Sequence, residues 1–220
     1  MPGAADRAVI VMSKRPAAGV TKTRLMPELS PQQAADLYEC LLRDTLTSLQ
    51  ARSDCTVVIA LDSRSSGSYF AELAPGVASV VQVGDTLGER LDAVLSECLG
   101  RGFRSVLAIS SDSPDLPPAH LDDAFGALDR DDVDVVLGPT EDGGYYLIGW
   151  KRRWPSMVTD VTMSTPDVLA DTTTIAVSLG ARVHLAPGWY DIDVPEDLDR
   201  LLQTPAPDRV PASLEFLASL

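Results

Sequence analysis

Four cations, Lys14, Arg15, Lys22 and Arg24, fall within eleven residues of a chain whose formal net charge is −14. Only three lysines occur in the whole sequence, and two of them are here. The residues between them are small, with Gly19 inside the loop and Thr23 between Lys22 and Arg24. A loop of this kind can aim backbone N–H groups at phosphate, while lysine supplies a point charge and arginine a planar two-pronged donor. The spacing is not GxxxxGK[ST], so this is not the familiar phosphate loop of that signature. A solvated basic loop paired with surface carboxylates is the plainer alternative.

Acidic residues gather at two other places. Ser110-Ser111-Asp112-Ser113-Pro114-Asp115 follows an apolar run, and Asp112, nearest that run, is the candidate for a divalent cation. Asp115 is expected to cap the helix that follows. Asp191 and Asp193 stand at i and i+2, on one side of an extended backbone. With Asp112 they form an oxygen-rich set of the kind Mg²⁺ or Mn²⁺ prefers; N-capping by Asp193 is the alternative. Two glycine-bearing segments stand beside them. Gly84, Asp85 and Gly88 surround a helix start, where free N–H groups attract anions, although ordinary capping explains them too. Asp142-Gly143-Gly144-Tyr145 places adjacent glycines before a strand, which is unfavourable in chain entropy unless backbone must come close to something. Tyr145 and Tyr146 would face opposite sides, so at most one lines a site.

The elements that must position these residues alternate in type. Apolar runs at residues 8–12, 56–61, 79–83, 105–109, 133–137, 145–150 and 182–185 predict strands, the sixth not necessarily parallel to the rest. Between them, helical periodicity follows Ser30-Pro31-Gln32-Gln33 and Thr86-Leu87-Gly88-Glu89, both capping boxes. Further helices are expected near residues 119–128, from Ser164 to a stop at Gly180, and from Pro195. This alternation implies one α/β domain, a mostly parallel sheet with helices on both faces, and ligands at the carboxyl ends of its strands. The domain is read as residues 1–203, with the tail 204–220 packing back as a short helix.

Composition narrows the function classes. At 45% hydrophobic and 23% charged, the chain can bury a core without disulfides or metal staples. Its acidity argues against nucleic acid and anionic membrane as partners. Cys40, Cys55 and Cys98 have no paired spacing and read as reduced, buried thiols. No signal segment or membrane span is evident, so a cytoplasmic location is expected. His120 and His184 read as packing or surface residues, Trp189-Tyr190 as core or site wall, and Thr165-Pro166 as helix entry.

Taken together, K-R-P-x-x-G-x-x-K-T-R-L, G-D-x-x-G-E-R-L, S-D-S-P-D-L-P, G-P-x-x-D-G-G-Y-Y-L-I-G, S-T-P-x-V-L and W-Y-D-I-D-x-P-E-D-L run in order from Lys14 to Leu198. The chain resembles the bacterial radical-SAM/selenodomain-associated transferases, glycosyltransferase-like proteins related to phospholactate guanylyltransferase. The resemblance implies a single-domain, Rossmann-like GT-A (nucleotide-diphospho-sugar transferase) fold. It also implies phosphate contacts at Lys14, Lys22 and Arg24, metal at Asp112, Asp191 and Asp193, and substrate contacts around Asp142-Gly143-Gly144. Ser113 departs from the cysteine expected there in the family, and no functional meaning is attached to it.

Three functions fit these residues. The first is metal-dependent nucleotidyl transfer from an NTP to a small phosphorylated acceptor, with Lys14, Lys22, Arg24 and Asp112 carrying the chemistry. The second is glycosyl transfer from a nucleotide sugar, with Asp142 or Glu141 as a general base. The third is a nucleotide-binding module without turnover.

Overall fold

The structure, a computed structural model, describes residues 6–154 and 156–220. Seven strands form one sheet: β1 Arg7–Met12, β2 Thr56–Leu61, β3 Ala78–Val81, β4 Ser105–Ser110, β5 Val135–Pro139, β6 Tyr145–Trp150 and β7 Val183–Leu185. Their spatial order is β3-β2-β1-β4-β6-β5-β7. All neighbours run parallel except β6, which is antiparallel to both β4 and β5. The helices are α1 Pro31–Gln50, α2 Gly67–Leu73, α3 Leu87–Gly100, α4 Pro118–Leu128, α5 Val168–Ser178, α6 Pro195–Leu202 and α7 Pro211–Ala218. Among the described residues no helix is long and apolar enough to cross a membrane.

The period-two alternation of the central strands sorts their side chains into two cores. Val9 and Val11 of β1 join α1 and α4 on one face; Ala8 and Ile10 join α3, Trp154, Met157 and Val158 on the other. The sheet is thus covered on both faces, which is why its strands read as near-continuous apolar runs. Both capping boxes form: Ser30 with Gln33 opens α1, and Thr86 with Glu89 opens α3.

Several sequence expectations shift. Asp115 does not cap α4, whose N-cap is Pro117 without a side-chain bond. Its carboxylate is buried instead, accepting from Trp189 Nε1 (3.3 Å), Tyr190 Oη (2.5 Å) and Thr204 Oγ1 (3.1 Å). The helix expected from Ser164 begins at Val168, because Ser164 adopts a positive φ of 63° and residues up to Pro166 serve as wall rather than helix. Helix α2 was not anticipated. The tail is fastened by Asp44 of α1, which accepts from Ala212 N (3.1 Å), Ser213 N (2.8 Å) and Ser213 Oγ (2.6 Å) at the start of α7.

Candidate active site

The carboxyl ends of β1 and β4, the β5–β6 turn and the segment before α5 enclose a cleft of about 730 Å³. That is the size range of small-molecule and cofactor sites. The basic loop after β1 forms one wall. It is built on Ala17 O, which accepts from Val20 N, Thr21 N and Thr21 Oγ1. Lys14 N donates to Tyr38 Oη (3.1 Å), and that hydroxyl shares a hydrogen bond with Ser111 Oγ (2.9 Å). Tyr38 of α1 therefore joins the basic loop to the acidic one. Burial, followed by the Asp112 charge, pushes its phenol up to about 12, so it stays protonated.

Opposite lies the acidic wall. Ile192 N donates to Asp112 O (2.8 Å), locking the segment after β4 to the segment that carries Asp191 and Asp193. Lys22 reaches in between them. Its side chain is 4% exposed, and its Nζ lies 2.7 Å from Asp112 Oδ1 and 2.9 Å from Asp193 Oδ1, with Ile192 O as a third acceptor. Burial alone would lower the Lys22 pKa, but the charges of Asp112 and Asp193 and their hydrogen bonds reverse this and hold it above the usual lysine value. Asp191 is turned toward Ser113, whose Oγ donates to its Oδ1 at 2.5 Å. Burial first, then the Asp112 charge, pushes the Asp191 carboxyl up to about 7. Among the described residues no group of three or more His, Cys, Asp or Glu side chains closes on one point as a metal site would.

The residues singled out from sequence divide clearly. Lys14, Lys22, Thr23, Arg24, Asp112, Asp142, Gly144, Tyr145, Asp191 and Asp193 all line the cleft. Gly19, Gly84, Asp85, Gly88 and Gly143 are not among its lining residues. Two of these glycines are explained by chain contact: a Cβ on Gly88 would lie 2.0 Å from Val158 O, and one on Gly143 1.8 Å from Pro166 O. Asp142 builds the turn, its Oδ1 accepting from Thr140 Oγ1 (2.5 Å) and Gly144 N (3.0 Å). Glu141 is engaged outside the cleft by Nη1 and Nη2 of Arg200, each donating to one carboxylate oxygen at 3.0 Å.

Four parts of the cleft lie outside the set singled out from sequence. Arg90 lines the cleft, held by Gly84 O (3.0 Å) through its Nε; its only signal was a cation one turn into α3. Ser113 orients Asp191. Tyr38, hidden in an amphipathic helix, gave no sign of joining the loops, and Thr165-Pro166 wall the cleft rather than start a helix. Trp189 and Tyr190, in contrast, lie away from it, Trp189 packing edge-on against His120 and Tyr190 buried. His184 pairs with Asp123 (2.8 Å). Among the described residues neither Lys14 nor Arg90 makes an ion pair, and Arg24, largely exposed, lies no nearer than 4.0 Å to Asp193.

This architecture is shared with known structures. The chain aligns with a candidate nucleotide-diphospho-sugar transferase from Desulfovibrio desulfuricans G20 at 26% identity and a TM-score of 0.86, over 97% of this chain and 94% of that one. CMP:2-keto-3-deoxy-manno-octonic acid synthetase in complex with CTP aligns at 12% identity and a TM-score of 0.53, over 89% and 96%. Rv0371c from Mycobacterium tuberculosis H37Rv, in complex with manganese, aligns at 19% identity and a TM-score of 0.50, over 90% and 99%. The first of these likenesses establishes the fold, a mostly parallel α/β nucleotide-diphospho-sugar transferase fold, and the other two share it. No curated protein matches the sequence. A sequence profile matches residues 45–165, and the chain belongs to the family it describes, "Uncharacterized protein conserved in bacteria (DUF2064)".

Proposed function

We propose that this chain is a metal-dependent transferase that moves a nucleotidyl group from an NTP to a small phosphorylated acceptor. The observation that carries the reading is the division of one cleft into a cationic wall and a carboxylate wall. Lys14, Arg24 and Arg90 face it without carboxylates closer than 4.0 Å, so their charge is available to a triphosphate. Lys14 is suited to a terminal phosphate and the arginines to paired phosphate oxygens. Asp112, Asp191 and Asp193 supply the hard oxygen donors that Mg²⁺ or Mn²⁺ takes, and support comes from Asp112 Oδ1, Asp193 Oδ1 and Ile192 O, which already surround one cation, the Lys22 ammonium. Such an ion, when bound, neutralises charge on the phosphates. The acceptor oxygen would then form its bond to the α-phosphorus as the bond to pyrophosphate breaks, with the cations holding both groups in line. No covalent enzyme intermediate is needed.

Support comes from the fold-mates, one of which holds CTP and another manganese. A second reading, glycosyl transfer, is favoured by the Desulfovibrio relative and by the spacing of Asp191 and Asp193. It is weakened because Glu141 is tied to Arg200 and one oxygen of Asp142 is committed to its turn. Thermal-shift titrations with NTPs and nucleotide sugars, with and without Mg²⁺, separate the two. A donor at about 100 times its Kd adds ~2.7 kcal/mol of stability. Stabilisation by nucleotide sugars alone, with no response to any NTP, would rule out the nucleotidyl reading.

A further inference from the structure

We infer that Lys22 is a built-in competitor of the metal: its ammonium fills the cation position among Asp112, Ile192 O and Asp193, and it must withdraw before a divalent ion can bind there. The inference rests on the reading of the cleft as a metal- and nucleotide-binding site, and it concerns the order in which that site is filled.

The seat is built for the side chain it holds. Lys22 has φ 52° and ψ 40°, a left-handed conformation unfavourable for a residue with a Cβ. This backbone lies between the turn on Ala17 O and the short 3-10 helix Thr23–Leu25, and Leu25 N donates to Lys22 O (3.0 Å). The Lys22 side chain is buried, while its neighbours Lys14 and Arg24 are exposed. An ammonium has three donors, and three oxygens receive them. No donor remains for a phosphate while Lys22 is seated, and Asp112 Oδ1, Asp193 Oδ1 and Ile192 O are already taken by the ammonium. Two cations cannot occupy one position about 3 Å across without strong repulsion, so metal and seated lysine exclude each other. A phosphate chain removes the conflict from both sides, since its oxygens ligate metal and receive the displaced ammonium. Metal and triphosphate should therefore bind better together than either does alone.

The experiment uses the full chain and Mn²⁺ as probe. Free Mn²⁺ is followed by electron paramagnetic resonance in titrations of the wild type, Lys22→Met and Lys22→Gln. The expected result is at least tenfold tighter binding of Mn²⁺ alone to the variants; equal or weaker binding overturns the inference. Lysine-specific acylation mapped by mass spectrometry tests the wild type itself, whatever the folding of the variants. With only three lysines present, exposed Lys14 is the internal reference. Lys22 should be acylated at least tenfold more slowly than Lys14 without metal, and should gain reactivity as Mn²⁺ binds. Rapid labelling without metal, or unchanged protection with Mn²⁺ bound, overturns the inference. Failure of every NTP to bind alongside these lysine results would instead discard the nucleotidyl reading and leave the seat intact.

Discussion

Gly143 and Pro166 are in backbone contact so close that a Cβ on the glycine would stand 1.8 Å from the Pro166 carbonyl oxygen. Gly143 also has φ +86°, and Leu169 N donates to its carbonyl (3.0 Å). The β5–β6 turn is thereby clamped to the segment before α5, and both border the cleft. Gly143→Ala combines overpacking with an unfavourable backbone angle. It should lose about 3 kcal/mol in denaturant unfolding, and a loss below about 1 kcal/mol would mean that the clamp is loose.

Asp112→Asn keeps the shape of the side chain and removes its charge. If the cleft works as proposed, kcat/KM should fall by about two orders of magnitude or more, with circular dichroism unchanged. Retention of most activity would move the metal-binding role elsewhere.

Asp191 makes stability depend on pH in the metal-free protein. Its folded pKa of about 7 lies above the ordinary carboxyl value of 3.8. The protonated form is thus favoured by folding: its contribution is complete below pH ~4 and is lost as pH rises through about 7. In chelator, Asp191→Asn should melt above the wild type at pH 8, by on the order of a few degrees. The gap should shrink toward pH 5; a gap that is flat with pH would contradict the assigned cause.

Asp44→Ala removes all three hydrogen bonds that hold the start of α7. Two backbone donors lose their partner, at a cost of roughly 2–3 kcal/mol. Limited proteolysis should then cut within residues 204–212 well before the rest of the chain, whereas equal resistance to the wild type would show that apolar packing on α1 suffices.

Much of this was legible in the residues because it is local. Capping boxes, alternating apolar runs and the two-glycine turn each declare themselves within a few positions, and the strand-helix order implies where loops converge. What stayed hidden depends on long-range pairing. Lys22 and Asp193 are 171 residues apart, so no spacing shows that the cation sits among the carboxylates instead of facing phosphate directly. Asp115 looked like a cap because a short acidic residue before a proline-led helix usually is one; its partners Tyr190 and Thr204 arrive only from the far end of the chain. Gly143 reads as a site of close approach and Gly88 as part of a ligand-facing helix start, but sequence does not say whether the approaching group is a ligand or the chain itself, and at both it is the chain.

The placement of β6 has a consequence for biosynthesis. It follows β5 in sequence yet lies between β4 and β5 in space, so the sheet stays in two pieces until Trp150 has left the ribosome. Before then the nascent β4 carries an unpaired apolar edge, the kind of surface that recruits other chains. The interval in which residues 111–150 emerge is thus the window of greatest risk, and a pause then would favour aggregation before any site exists.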